Sequence, residues 1–257
     1  MNMYRVACLA LAAIACACAS EGPPAVDTSN PSAVPIGPGD GILFVGNSLT
    51  YANDLPGLVE GLAAGAGSKL QTASVAYAGF SLDDHLKQGD AARSIATGGW
   101  RVVILQQGPS SLDESRRLLR LWTANFDKRI RAVGARTALY SVWPDSAFPT
   151  PFGDVAESYS LAASDVGGIY LPVTDAWLLA WKRDPSLPLY SSDGFHPSEQ
   201  GSYLAALVIV SVLTARPAVG MPARVMRPDG HELAIPADAA AVLQQAAAEA
   251  VAAYARP

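Results

Sequence analysis

The chain has 257 residues, half of them apolar, which is typical of one α/β domain with a large core. Charged residues make up only 16%, the formal net charge is −5, and Lys and Arg are not clustered, which argues against a nucleic-acid binder. We therefore expect no nucleic-acid partner and no electrostatic attraction to an anionic membrane surface.

The first residues have the pattern of an export signal. Arg5 is followed by an apolar run over residues 6–17, which is too short to span a bilayer, and small residues suited to cleavage follow. We predict that residues 1–18 are a signal peptide. Cys8, Cys16 and Cys18 all lie within it, so the exported domain is predicted to have neither a disulfide nor a catalytic thiol.

Two modes of export remain open. Cys16 or Cys18 could become the lipidated first residue of a lipoprotein, although the residue three positions before each is alanine rather than leucine. Residues 19–40 are rich in Pro, Gly and Ser and are predicted to form a flexible tether, which suits a lipid-anchored and a free protein equally. We expect a periplasmic, secreted or envelope-anchored protein, with membrane attachment only through such a lipid.

From residue 41 onward, strand-like runs alternate with helical segments. The apolar run 42–45 is typical of a strand buried on both faces. A helix is then predicted from Asp54 to the glycine-rich break at 65–67. It is followed by a predicted strand over 72–77, a broken helix over 82–96 and a strand over 102–105.

The second half of the chain continues the alternation. A long amphipathic helix is predicted over 111–133, begun by a capping box of Ser111 and Glu114 and ended at Gly134. The remaining predictions are a strand over 136–142, a pair of helices with a weak strand at 169–173, an apolar helix over 198–213, a hairpin over 223–235 and an alanine-rich helix over 237–254. This alternation predicts one domain, residues 41–257, with a parallel sheet covered by helices on both faces.

The first candidate catalytic residue is Ser48, in the segment Gly46-Asn47-Ser48-Leu49-Thr50 directly after the first strand. Ligands of open parallel sheets bind outside the carboxyl ends of the strands, where this turn is expected to lie. A serine there can expose its hydroxyl and place its own N–H where developing negative charge is favoured. Taken alone, however, such a serine more often caps a helix.

The second candidate is the pair Asp193 and His196, in Asp193-Gly194-Phe195-His196-Pro197 just before the helix at 198. At this spacing the carboxylate can hold the imidazole Nδ1–H and leave Nε2 free as a base. Alone, the pair fits a turn-capping aspartate and an ordinary loop histidine. Together with Ser48, it supplies a nucleophile, a base and the group that orients the base.

These two segments resemble the first and last sequence blocks of the SGNH (GDSL-like) hydrolase superfamily. The first block is usually Gly-Asp-Ser-Leu in that superfamily, and the last is Asp-x-x-His-Pro. The resemblance runs from about residue 41 to residue 213. It implies a three-layer α/β/α, flavodoxin-like fold with a central parallel sheet, and catalysis by Ser48, Asp193 and His196 without a cofactor.

The resemblance also implies an oxyanion hole. Gly79 follows the second strand, where a family glycine donates its backbone N–H beside that of the serine, here Ser48. The third block departs from the pattern, because the usual Gly-x-Asn-Asp is replaced by Gln106-Gln107-Gly108. A Gln carboxamide offers the same N–H donor as Asn. Gln107-Gly108 resembles the sialate-acetylesterase branch, and Gln106 directly follows the strand, so both glutamines stay open as the third donor.

The other histidines and the tryptophans are given structural roles. His85, after two aspartates, and His231, on the predicted hairpin, are expected at the surface. Three scattered histidines in a cysteine-free domain give no metal-ligand spacing, so no metal site is predicted. Trp177 and Trp181, four residues apart, are expected to pack in a core or groove. Trp143, at the end of the fourth strand, is expected to line the pocket.

The sequence therefore predicts an exported serine esterase acting on a small-molecule or glycan ester. The resemblance implies short acyl groups, with acetyl groups on carbohydrate as one such substrate. Two alternatives remain open: an acyltransferase that moves an acetyl group onto a glycan with the same three residues, and a glycan-binding protein without activity on the same fold. The sequence predicts no oligomeric state.

Overall fold

The computed structural model describes residues 40–147 and 151–254. The predicted signal peptide, the three cysteines and the predicted tether up to residue 39 lie outside the described residues. Within the two described ranges, none of the helices has both the length and the apolar character that a membrane span requires.

A five-stranded parallel sheet forms the centre of the fold. Its strands are β1 (Asp40–Gly46), β2 (Leu70–Ala76), β3 (Trp100–Leu105), β4 (Arg136–Tyr140) and β5 (Ile169–Leu171). Their order across the sheet is β2-β1-β3-β4-β5, with every neighbouring pair parallel. This is the doubly wound order of flavodoxin-like folds, in which the chain reverses direction beside β1. The predicted fold class is confirmed.

Helices connect the strands and flank the sheet. In chain order they are α1 (Ser48–Tyr51), α2 (Leu55–Gly65), α3 (Leu82–Gln88), α4 (Asp90–Ala96), α5 (Asp113–Ala132), α6 (Phe152–Asp165), α7 (Val173–Arg183), α8 (Glu199–Thr214) and α9 (Ala237–Tyr254). The connection from β1 to β2 moves across the sheet in one direction, and the later connections move in the other. Because crossovers between parallel strands are right-handed, this reversal puts helices on both faces of the sheet. The core lies between these layers, where α8 is buried continuously from Gly201 to Leu213.

A small antiparallel hairpin lies outside the main sheet. Its strands are β6 (Arg224–Met226) and β7 (Glu232–Ala234), and β6 packs against α2. The turn between them contains Pro228-Asp229-Gly230, and Gly230 has φ +85°, a conformation that glycine adopts without steric cost. The hairpin predicted from this turn is confirmed.

Several predicted boundaries are wrong. The capping box of Ser111 and Glu114 does not form, because α5 begins two residues after Ser111 and the Ser115 hydroxyl accepts the Leu112 N–H instead. Strand β4 ends two residues before the predicted end at 142. The broken helix predicted over 82–96 is confirmed, and it divides at Gly89, which has φ +87°. Helix α1, four residues long, is too short for a periodic pattern to reveal.

Candidate active site

Ser48 begins α1 immediately after β1, at the carboxyl end of the sheet. Asn47 caps this short helix, its side-chain oxygen accepting the Leu49 N–H at 3.1 Å. Ser48 is only 7% exposed. Neither its hydroxyl nor its backbone N–H is hydrogen-bonded to another described residue. Both groups are therefore free to meet a substrate.

Gln106 holds this turn from the neighbouring strand β3. Its side-chain oxygen accepts the Asn47 N–H and the Thr50 hydroxyl, each at 2.8 Å. Its amide nitrogen donates to the Asn47 side-chain oxygen at 3.0 Å and to the Gln107 carbonyl at 2.6 Å. The Asn47 N–H can only donate, which fixes the orientation of the carboxamide. With both of its N–H groups occupied, Gln106 fixes the Ser48 turn and offers no donor to an oxyanion in this structure.

The hydrogen-bond network continues into the core through Thr50. Because the Thr50 hydroxyl donates to Gln106, the hydroxyl of Tyr140, 2.9 Å away, must donate to Thr50. Burial raises the pKa of Tyr140, so it stays a neutral donor. Gly46 allows this close packing, since a Cβ there would overlap the Thr50 hydroxyl and the Gln106 oxygen. The turn is thus held by a fully buried polar network.

Asp193 and His196 are in direct contact. The Asp193 Oδ2 lies 2.6 Å from the His196 Nδ1, and its Oδ1 accepts the Ser191 hydroxyl at 2.6 Å and the His196 N–H at 2.9 Å. The Ser191 hydrogen bond first, and then that of the His196 ring, hold the pKa of Asp193 well below its usual range. An ionised carboxylate can only accept, so Nδ1 carries the proton and Nε2 keeps its lone pair. The sequence analysis did not identify Ser191 as part of this cluster.

The loop that carries His196 is held against the end of β4. The Trp143 indole donates to the Phe195 carbonyl at 2.9 Å, and the Ser146 N–H donates to the Gly194 carbonyl at 3.0 Å. The predicted role of Trp143 in lining the pocket is wrong, because Trp143 is fully buried and stacks on Trp177 at 4.0 Å between ring centroids. The predicted packing role of Trp177 and Trp181 is confirmed by their edge-to-face contact at 5.5 Å.

The Ser48 turn and the His196 loop approach each other at the sheet edge. The side chain of Asn53, which follows α1, donates to the Pro197 carbonyl at 2.9 Å. Among the described residues, the Ser48 hydroxyl and the His196 ring are not hydrogen-bonded to each other, although both belong to segments that Asn53 joins. In enzymes without bound substrate, such hydrogen bonds are often long and tighten only in the substrate complex. The direct pairing of Ser48 with His196 stays a prediction.

The remaining predicted oxyanion residues lie on neighbouring segments. Gly79 follows β2, has φ +72°, is exposed, and its N–H donates to no other described residue. Gln107 is buried, its amide nitrogen donating to the Ser110 hydroxyl at 2.9 Å and its side-chain oxygen accepting the Leu82 N–H at 3.2 Å. Only one amide hydrogen of Gln107 is thereby used. The backbone N–H groups of Ser48 and Gly79, by contrast, have no hydrogen-bond partner among the described residues.

The two other histidines differ in position. His231 is exposed on the hairpin, as predicted, with its ring 3.2 Å from the Asp229 carboxylate. The surface position predicted for His85 is wrong: the ring is fully buried, and its Nε2 lies 2.7 Å from the Gly46 carbonyl. The two preceding aspartates suggested exposure, but the strand-end carbonyl provides a partner inside the protein.

Together, these features define an α/β protein of flavodoxin-like sheet order. It carries a serine after the first strand and an Asp–His pair before the last core helix, both at the carboxyl edge of the sheet. Within the described residues, no group of three or more His, Cys, Asp or Glu side chains could hold a metal ion.

Comparison with solved structures gives the fold family. A DUF4886 family protein from Bacteroides uniformis aligns with a TM-score of 0.68 and 18% identity, over 84% of this chain and 96% of that one. A protein from Slackia heliotrinireducens, provisionally described as an SGNH hydrolase, aligns with a TM-score of 0.55 and 28% identity, over 67% of this chain and 98% of that one. A lipase/acylhydrolase from Enterococcus faecalis aligns with a TM-score of 0.54 and 16% identity, over 69% of this chain and 96% of that one.

No protein-family profile matches the sequence, and a search of curated proteins gives no match. The structural comparisons nonetheless confirm the resemblance predicted from the sequence: the chain has the fold of the SGNH-like hydrolases.

Proposed function

We propose that this protein is an exported serine esterase that hydrolyses short-chain esters with Ser48, His196 and Asp193. The observation that supports this most directly is the Asp193–His196 contact at 2.6 Å, which orients the ring so that Nε2 is the basic nitrogen of the neutral imidazole. The 28% identity to a protein provisionally described as an SGNH hydrolase supports the same chemistry.

The first half of the reaction is acylation of Ser48. Its hydroxyl oxygen attacks the ester carbonyl carbon while its proton passes to the His196 Nε2. The carbonyl oxygen becomes an oxyanion, which the free N–H groups of Ser48 and Gly79 stabilise. The ester C–O bond then breaks, and the alcohol leaves with the proton returned by His196. Ionised Asp193 stabilises the imidazolium during both proton transfers.

The second half releases the acid. Water attacks the acyl-Ser48 carbonyl, His196 takes the proton of that water, and the Ser48 oxygen leaves with the proton returned. The side chains of His196 and Asp193 are 36% and 49% exposed, so water has access to the acyl-enzyme.

The substrate class rests on the family resemblance and on the predicted export. The resemblance implies short acyl groups, and an exported enzyme would meet envelope and environmental polysaccharides. We therefore place acetyl esters, including those on carbohydrates, first among the substrates to be tested.

Replacing Ser48 with alanine tests the function. The wild type is expected to hydrolyse p-nitrophenyl acetate faster than the octanoate. S48A is expected to lose turnover on the order of 10⁶-fold, because no other group in the site supplies the nucleophile. The measurement is p-nitrophenol release over the acyl series, with circular dichroism to show that S48A remains folded.

A matched control is S74A, which removes an exposed serine hydroxyl on the edge strand β2. It should retain wild-type turnover. Unchanged turnover in S48A would reject the proposed nucleophile. Acetyl transfer to an added glycan at the expense of acetate release would instead make the protein an acyltransferase, and glycan binding without reaction at Ser48 would make it a binding protein.

A further inference from the structure

Asn53 lies in a 3₁₀ turn (Ala52–Asp54) between α1 and α2, five residues after Ser48. Its backbone has φ 53° and ψ 20°, in the left-handed region, and the next residue, Asp54, has φ 53° as well. Two consecutive non-glycine residues in this conformation carry a conformational cost that the surrounding structure must offset. For Asp54 the compensation is clear, since its carboxylate caps α2 by accepting the Gly57 N–H at 3.1 Å.

Asn53 uses its side chain differently. Its amide nitrogen donates to the Pro197 carbonyl and to the Ser202 hydroxyl, each at 2.9 Å. Both amide hydrogens therefore form hydrogen bonds to residues about 145 positions later in the chain. Pro197 is buried and directly follows His196, and Ser202 is buried in the first turn of α8. From this left-handed backbone, the Asn53 side chain thus joins the segment that carries Ser48 to the loop that carries His196.

The C-terminal hairpin supports the same residue from the other side. The Arg227 guanidinium donates through Nη1 to the Asn53 carbonyl at 3.2 Å, and its Nε lies 3.6 Å from the Asp229 carboxylate. Arg227 is only 19% exposed, so this contact is shielded from water. The carbonyl and both amide hydrogens of Asn53 are therefore all bonded to segments distant in sequence.

We propose that Asn53 is a positioning residue that sets the distance between Ser48 and His196. This inference rests on the proposed esterase function. Asn53 touches no reacting atom; it acts by fixing the Pro197 carbonyl, and hence the His196 backbone, relative to α1. A displacement of about 1 Å at such a site can lower a rate by roughly a hundredfold. Two hydrogen bonds at this junction are placed to prevent that displacement.

The test compares N53G with D54G. Both variants replace a left-handed residue by glycine, which keeps that conformation accessible. N53G removes the hydrogen bonds to the Pro197 carbonyl and to the Ser202 hydroxyl, whereas D54G removes only the cap of α2. We expect N53G to lower kcat for p-nitrophenyl acetate about tenfold to a hundredfold with KM nearly unchanged. D54G should keep its kcat even where its melting temperature falls.

A second variant and a second readout complete the test. N53D keeps the side-chain shape and the tolerance for left-handed backbone but cannot donate, so it should lose kcat as N53G does. Hydrogen–deuterium exchange over residues 190–197 should show faster exchange in N53G and N53D than in D54G. The inference would be overturned if N53G kept both the kcat and the slow hydrogen exchange of the wild type. It would also be overturned if D54G lost as much kcat as N53G.

These outcomes are separable from failure of the proposed function. If the wild type and S48A show the same rate of ester hydrolysis, the esterase proposal fails. The exchange measurement then still decides whether Asn53 holds the His196 loop.

Discussion

At the scale of single residues, His85 shows how a buried imidazole can support a catalytic turn. Its Nε2 lies 2.7 Å from the Gly46 carbonyl, which can only accept, so Nε2 carries the proton. Its Nδ1 is buried and has no hydrogen-bond partner within the described ranges of the chain. The ring packs against Phe80 at 5.2 Å and Tyr77 at 5.8 Å, the residues on either side of the Gly79 loop. His85 therefore contacts both segments that supply the proposed oxyanion donors.

Burial lowers the pKa of His85 below its usual value of about 6.5, against opposing effects of the Gly46 hydrogen bond and of Asp84 and Asp90. Below about pH 6.5 the unfolded chain therefore takes up a proton that the folded chain does not bind. The free energy of unfolding consequently decreases as the pH is lowered through this range. In H85Q, the free energy of unfolding should depend less on pH. Urea unfolding at pH 7.5 and pH 5.5 measures the difference.

The control for this prediction is H231Q, which changes a ring whose side chain is 74% exposed. It keeps the buried His85 ring and so isolates the effect of removing that ring. If the free energy of unfolding depended on pH equally in the wild type and in H85Q, the neutral, buried state inferred for His85 would be contradicted.

At the scale of elements, two buried glutamines each join separate segments of the fold through their side chains. Gln106 links the end of β3 to the turn between β1 and α1. Gln244, on α9, accepts the Gly220 N–H at 2.8 Å and donates to the Met221 carbonyl at 2.7 Å and the Tyr203 hydroxyl at 3.1 Å. They form a matched pair: Gln106 bonds directly to the Ser48 turn, whereas Gln244 has no hydrogen bond to that turn within the described residues.

We expect Q106A and Q244A each to lose about 2–5 kcal/mol of folding free energy, because each leaves buried polar groups unsatisfied and a cavity. Q106A should also lower kcat roughly tenfold to a hundredfold, since it releases the Ser48 turn. Q244A should keep its kcat in the folded fraction. Chemical denaturation and p-nitrophenyl acetate kinetics measure the two effects, and equal kcat losses in both variants would contradict the role given to Gln106.

The elements themselves were largely predictable, because a continuous apolar run or an amphipathic pattern marks most strands and long helices. The apolar run at 42–45 and the helix over 198–213 became β1 and α8. Helix starts were less predictable. Ser111 followed by Glu114 matches a capping box, but Ser115 provides the local hydrogen bond that starts α5. Several polar residues near a helix start compete for one cap, and the sequence alone does not decide among them.

At the scale of the whole molecule, the contact between Asp193 and His196 was easier to predict from the sequence than the contacts of distant groups that hold the site. Asp193 and His196 are three residues apart, so their contact could be expected from local geometry. Asn53 and Gln106 act through contacts across 144 and 59 positions, which only the folded sheet brings together. The same limit explains Trp143, whose place at the end of β4 suggested a pocket wall but whose ring is covered by Trp177.

The central claim is that Ser48 is a nucleophile activated by His196, and covalent labelling tests it most directly. A fluorophosphonate probe forms an O–P bond with an activated serine and releases fluoride, so its site can be mapped by peptide mass spectrometry. We predict a single adduct on Ser48 in the wild type, none in S48A, and labelling slowed at least a hundredfold in H196A. An adduct on another residue, or labelling of H196A at the wild-type rate, would contradict the account.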